Sequence, residues 1–149
     1  MDSKIIFSAI VGFVGAIISE MLGGFDIYVK ILMVFIFIDI ASGVLLSFRG
    51  RSDKTESGFF SSAALYNGLI KRCYYFVLIF VVVCLEMIIG VHFLRDAVIW
   101  FFVAYEGSSI VEHAARAGVP VPDVILNALD IVKSRADTTA VSIKKQGKQ

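Results

Sequence analysis

Four long apolar runs, residues 5–22, 27–48, 73–94 and 97–115, constrain this chain more than anything else in it. Each is long enough to carry a helix through a hydrocarbon layer of about 30 Å. A water-soluble domain sets its core against a surface rich in charge. Here charged residues make up 18% of the 149, hydrophobic residues 58%, and the mean hydropathy is +0.83, too apolar for a surface that must face water. The expectation is an all-α integral membrane protein with about four transmembrane helices, a short amphipathic C-terminal helix and a polar basic tail. Residues 1–118 form the transmembrane domain, and residues 119–149 a cytoplasmic helix followed by a disordered basic tail. Lys4 before the first run resembles the opening of a secretion signal, but no small-x-small site closes it, so the run is taken as a membrane helix.

Charge sets the expected orientation. With the N-terminus inside, Lys4, Arg49, Arg51, Lys54, Lys71, Arg72, Arg116, Lys133, Arg135, Lys144, Lys145 and Lys148 fall on the inner side, and only Lys30 and Arg95 on the outer. Twelve against two follows the positive-inside rule and puts both termini in the cytoplasm. The outer connections, Gly23–Asp26 and Arg95-Asp96, are tight turns, which excludes an external binding domain. The fourth run is the least apolar: Glu106, Ser109, His113 and Arg116 recur at i, i+3, i+7 and i+10, one stripe of a helix. Such a helix either crosses within a bundle or around water, or lies in the interface; the charge count favours crossing. Gly118, Pro120 and Pro122 stop it. A short helix over 123–136 then presents Val124, Ile125, Ala128, Leu129 and Val132 to a membrane surface or a partner.

Three carboxylates, Asp39, Glu86 and Glu106, fall near one depth of their runs. Ionised groups there cost several kcal/mol and normally face the bundle interior or a water-filled cavity. No Lys or Arg is expected at that depth, since Lys30 is nine residues, about 13 Å of helix rise, from Asp39. Either the carboxyls are protonated and hydrogen-bonded to Ser42, Ser109 or Tyr105, or they see water. In the first helix, Ser8, Gly12 and Ala16, and again Gly15, Ser19 and Gly23, repeat small residues at four-residue spacing. That pattern allows close helix approach, within one chain or between copies. The stretch from Gly58 to Arg72 suits an interfacial helix or a coil.

No catalytic constellation is present: His92 and His113 are isolated, and there is no phosphate loop and no metal-ligand spacing. Cys73 and Cys84, eleven apart in an apolar run, match no redox or metal pair. No enzyme activity, cofactor or metal is expected. The basic residues lie beside the apolar runs, which favours membrane lipids as partners over nucleic acid.

Three segments carry a resemblance. Asp39-Ile-Ala-Ser42-Gly43, the loop from Ser61-Ser62 through Gly68 to Lys71-Arg72, and Glu106-Gly-Ser-Ser109-Ile-Val-Glu112-His113-Ala-Ala-Arg-Ala-Gly118-Val-Pro120-Val-Pro122 resemble, in order and over about residues 27–135, the phage-lysis and toxin-secretion holin family. Two departures are visible: Ser42 stands where the family pattern has Thr, and His113 where it has Asn. Both retain hydrogen bonding, and His113 adds a titratable group. The resemblance implies a small phage or prophage protein of the bacterial cytoplasmic membrane that homo-oligomerises and opens a lesion. Through it an endolysin or a toxin leaves the cytoplasm as cargo, without required direct binding. Within that reading Glu106, Ser109 and His113 are the expected water-facing surface, with Asp39 and Glu86 the other polar groups at depth, and Gly12, Gly15, Ala16 and Ser19 the subunit contact. The rival readings are a small proton-coupled or ion-conducting transporter that uses the three carboxylates as a relay, and a membrane anchor that recruits a partner through residues 123–149.

Overall fold

The computed structural model describes residues 3–50 and 59–146, with side chains as far as Arg135. Arg51, Lys54 and Lys148, three of the eleven basic residues of the expected inner loop and tail, lie outside the described residues. Among the described residues the chain is all-α: α1 (Ser3–Met21), α2 (Ile27–Phe48), α3 (Ser62–Ile89), α4 (Leu94–Arg116) and α5 (Asp123–Gln146). Three of these, α1, α2 and α3, are long and apolar enough to cross a membrane. α4, broken by Arg95, Asp96, Glu106 and Glu112, falls short by its own composition.

The helix ends follow local chemistry. Asp26 caps α2 by accepting the backbone N–H groups of Tyr28 and Val29, each at 3.1 Å, satisfying two donors that a helix start leaves unpaired. Ser61 caps α3 by accepting from the N–H of Ala64. Gly90 ends α3 with a left-handed backbone, φ 77°, that only glycine adopts at little cost. Two boundaries differ from expectation. The third helix begins at Ser62 and ends at Ile89, where the run 73–94 was expected, so residues 62–72 are not coil but the first turns of α3. Nothing in 62–72 breaks a helix except Gly68, whose missing side chain leaves room for the Arg72 guanidinium. The C-terminal helix likewise runs on to Gln146, through the stretch expected to be a disordered tail.

Contacts fix the relative levels of the helices. α4 is central and packs against α2, α3 and α5. Along α2 and α4, Tyr28 meets Trp100 edge to face, Phe35 lies against Gly107, and Gly43 lies against His113. The two helices thus run parallel over about 22 Å of rise, most of a hydrocarbon thickness. α4 accordingly spans the same depth as the strongly apolar α2, and its Arg95, Glu106 and His113 are tolerable there because they are buried. The core comprises Leu22, Val29, Leu32, Tyr75, Ile79, Ile99, Phe102 and Val103, with Tyr75 and Phe102 stacked at 4.1 Å. α5 turns back along α4: Leu129 sits on Gly107, Val132 packs on the core, and Arg135 lies over the Trp100 ring. Of the face expected to seek a membrane or partner, Leu129 and Val132 are therefore partly covered by the chain's own α4, while Val124 and Ile125 stay exposed. α1 has no buried residue; only Leu22, just beyond its end, enters the core.

Candidate functional site

Apolar burial gives little net drive between helices in lipid, so polar pairing weighs more there. Two arginines do this work at two levels. At the middle of the bundle the Arg72 side chain, projecting from α3, reaches Asp39 on α2 and Glu106 on α4 together. Its Nη2 donates to Asp39 Oδ2 and, at 2.9 Å, to Glu106 Oε2; its Nε donates to the same Glu106 oxygen at 3.3 Å, and Nη1 donates to the Gly68 carbonyl at 3.1 Å. Tyr75 donates its hydroxyl to Glu106 Oε1 at 2.8 Å. Asp39 is 1% exposed and Glu106 0%. Arg72 supplies the cation that the charge count had placed in the inner loop, so the expectation that no Lys or Arg shares this depth is corrected. Its position beside Lys71 reads as a basic flank. The signal for burial was the stripe Gly68, Arg72, Tyr75, Ile79, one face of a helix at i, i+4, i+7 and i+11, together with two carboxylates in need of a partner.

His113 extends the cluster. Ser42 donates its hydroxyl to the Asp39 backbone carbonyl at 3.0 Å, and its oxygen is hydrogen-bonded to His113 Nδ1 at 2.8 Å. The same nitrogen is 3.4 Å from Asp39 Oδ1, a buried oxygen that makes no hydrogen bond among the described residues. The imidazole fits because Gly43 has no side chain: a Cβ there would come within 3.2 Å of His113 Cε1. One cation thus stands between two carboxylates, with a titratable imidazole against the first.

Above the cluster a polar cleft of about 500 Å³ opens between α3 and α4. Its floor is Asp39, Arg72 and Glu106; Ser109, Glu112 and Lys71 stand around it, and Lys71 donates to the Tyr105 hydroxyl at 2.6 Å. The stripe on α4 therefore faces into the subunit, with Glu106 and His113 buried and Ser109 half-buried.

The second arginine network lies at the end of the bundle carrying the α1–α2 and α3–α4 turns. Arg95 donates to the Leu22 carbonyl at 2.5 Å, the Gly24 carbonyl at 3.0 Å, Asp26 Oδ2 at 2.7 Å and Asp96 Oδ1 at 3.1 Å. Glu86 belongs here and not with Asp39 and Glu106: its carboxylate accepts the backbone N–H of Arg95 at 3.1 Å and so caps α4. Its expected depth followed from the run 73–94, and the earlier end of α3 moves it to the turn. Arg95 donates a hydrogen bond to Asp26 and holds its carboxyl below the usual carboxylate range, against the opposing effect of burial.

The remaining expected positions are dispersed. Gly12, Gly15 and Ala16 are exposed on α1, with open space beside both glycines, and Ser19 is half-buried with its carbonyl accepting from Gly24 N–H at 2.8 Å. Gly118, at φ 83°, closes α4. Pro120 and Pro122 lie exposed in the connection to α5, where the Pro122 carbonyl accepts from Ile125 N–H. Among the described residues no cluster could hold a metal ion.

The sequence from residue 16 to 134 matches the model of the bacteriophage holin family. The chain belongs to that family. It is 28% identical over 111 residues to a probable holin of Bacillus phage phi105, covering 74% of this chain and 77% of that one. An uncharacterized protein of Listeria monocytogenes is 35% identical over 128 residues, 85% of this chain and 86% of its own length. An uncharacterized 14.9 kDa protein of Clostridium perfringens is 29% identical over 117 residues, 77% and 83% of the two chains. No solved structure matches. The holin family is not a family of enzymes. Its membership and the three apolar helices make this a membrane protein with a holin's role.

Proposed function

We propose that this holin accumulates in the bacterial cytoplasmic membrane with its N-terminus inside, homo-oligomerises, and opens a lesion that releases an endolysin or a toxin from the cytoplasm. The observation that carries the reading is the division of the molecule's polar groups. α1, α2 and α3 turn mainly apolar side chains outward, as lipid requires, while Asp39, Arg72, Glu106 and His113 are gathered between α2, α3 and α4 beside one cleft. A subunit built this way inserts with these buried charges held together by one arginine. α1, exposed along its length with Gly12 and Gly15 open to approach, is the surface left for contact between copies, and its small residues let backbones meet. Family membership and the probable phage holin among the relatives support the same role. The relay reading is weaker on this geometry, because Glu86 caps α4 at one end and a continuous path Asp39–Glu86–Glu106 does not form.

Induced expression in a bacterium tests the proposal. Sudden collapse of membrane potential with release of a cytosolic reporter enzyme is expected; graded ion flux with the reporter retained would refute lesion formation and favour a conducting transporter.

A further inference from the structure

α5 poses a problem of solvent. Leu129 lies on Gly107, which is level with Phe35 in the middle of α2, and Arg135 lies over Trp100, which is level with Tyr28 near its start. Around those levels α5 turns Asn127, Asp130 and Ser134, spaced i, i+3, i+7, away from α4, and all three are exposed. Lys133 flanks them. Because α4 spans the depth of α2, this face sits at hydrocarbon depth, where an aspartate or lysine is costly. Lys133 and Arg135 can reach toward a headgroup layer. Asp130, one residue from Leu129, cannot. Docking itself is specific: the glycine at 107 is the hole that receives Leu129, since a Cβ there would overlap Leu129 Cδ2.

We infer that α5 remains docked on α4 in the membrane and that its outer face, Asn127, Asp130 and Ser134, forms the water-facing wall of the assembled lesion. This rests on the pore reading above. Each subunit is then a wedge: α1 meets the neighbouring copy, α2 and α3 face lipid, the Arg72 cluster fills the interior, and α5 faces the lumen. The face assigned to water is the one whose burial in lipid is most costly, and copies arranged about an axis hydrate it without unfolding the hairpin of α4 and α5. With the N-terminus inside, docking also carries the far end of α5 toward the outer face, unlike the cytoplasmic tail expected from charge alone.

The test uses full-length protein with Cys73→Ser and Cys84→Ser, reconstituted in liposomes holding a fluorescent dye. A Gly107→Cys and Leu129→Cys pair should form a disulfide in the bilayer, reporting docking. Membrane-impermeant charged thiol reagents should slow dye efflux several-fold at Asp130→Cys and at Ser134→Cys, and leave it unchanged at Phe37→Cys, which is 73% exposed on the apolar surface of α2. Failure of the disulfide to form, or efflux unchanged by modification at both α5 positions, overturns the lumen assignment while leaving the pore reading intact. Dye retained by liposomes carrying the parent protein would instead sink the pore reading, and this inference with it.

Discussion

Replacing Arg72 by methionine keeps most of the side chain's volume and removes the only cation between Asp39 and Glu106 in the described structure. The wild-type cluster holds two acids and one arginine, so the change leaves one further carboxylate without a counter-charge. Bringing a carboxyl of reference pKa about 4 to its neutral form at pH 7 costs about 4 kcal/mol, at 1.36 kcal/mol per pH unit. That figure is a ceiling for the loss, since a protonated carboxyl escapes further penalty, and it falls within the roughly 3–5 kcal/mol seen when one partner of a buried pair is deleted. Arg72→Lys should fall between, because an ammonium cannot make the fork that joins Asp39, Glu106 and the Gly68 carbonyl at once. The triple change Asp39→Asn, Arg72→Met, Glu106→Gln should recover most of the loss. The assay is unfolding in mixed micelles by titration with a denaturing detergent, followed by circular dichroism and by the single tryptophan, Trp100, on α4. A loss below about 1 kcal/mol for Arg72→Met, or a triple variant no better than the single, would refute the argument that charge pairing holds the bundle.

Four further outcomes follow from the geometry. Gly43→Leu should drive His113 off Ser42 and cost about 1–3 kcal/mol by overpacking, read in the same titration, with Gly43→Ala much milder. Gly107→Leu should undock α5, seen as faster protease cleavage within residues 123–135, and Leu129→Ala should restore part of the protection. Gly12→Leu or Gly15→Leu should delay lysis while leaving membrane insertion unchanged; on-schedule lysis with wild-type oligomers in both would move the subunit contact elsewhere. The Arg95 hydrogen bond lowers the Asp26 carboxyl in the folded state, so its stabilisation is present above the usual aspartate range and lost as pH falls through the lowered folded value. Thermal melts in detergent should show a shallower acid dependence below about pH 4 for Asp26→Asn.

The fold class was legible in the sequence because lipid imposes a one-dimensional requirement: a run of apolar residues near 20 must be a helix whatever surrounds it. α1 and α2 fall close to the runs 5–22 and 27–48 for that reason, and Gly118 with Pro120 and Pro122 marked the end of α4 by backbone chemistry alone. The stripe Glu106, Ser109, His113 was likewise visible, as was the need of Asp39 for a partner. What it paired with was not. Hydropathy counts Arg72 as a span flank beside Lys71, and only the three-dimensional approach of α2, α3 and α4 shows that the start of α3 lies eleven residues earlier and that one guanidinium reaches two carboxylates thirty-three and thirty-four residues away. Glu86 moved from the charge cluster to the turn by the same shift. The return of α5 along α4 had no local signal, since its amphipathic face fits a membrane surface as well as a neighbouring helix; a single missing side chain at Gly107 chose the neighbour. Solvent decides which segments become helices from the sequence alone, whereas the pairing of buried charges depends on distances between helices, which tertiary packing sets.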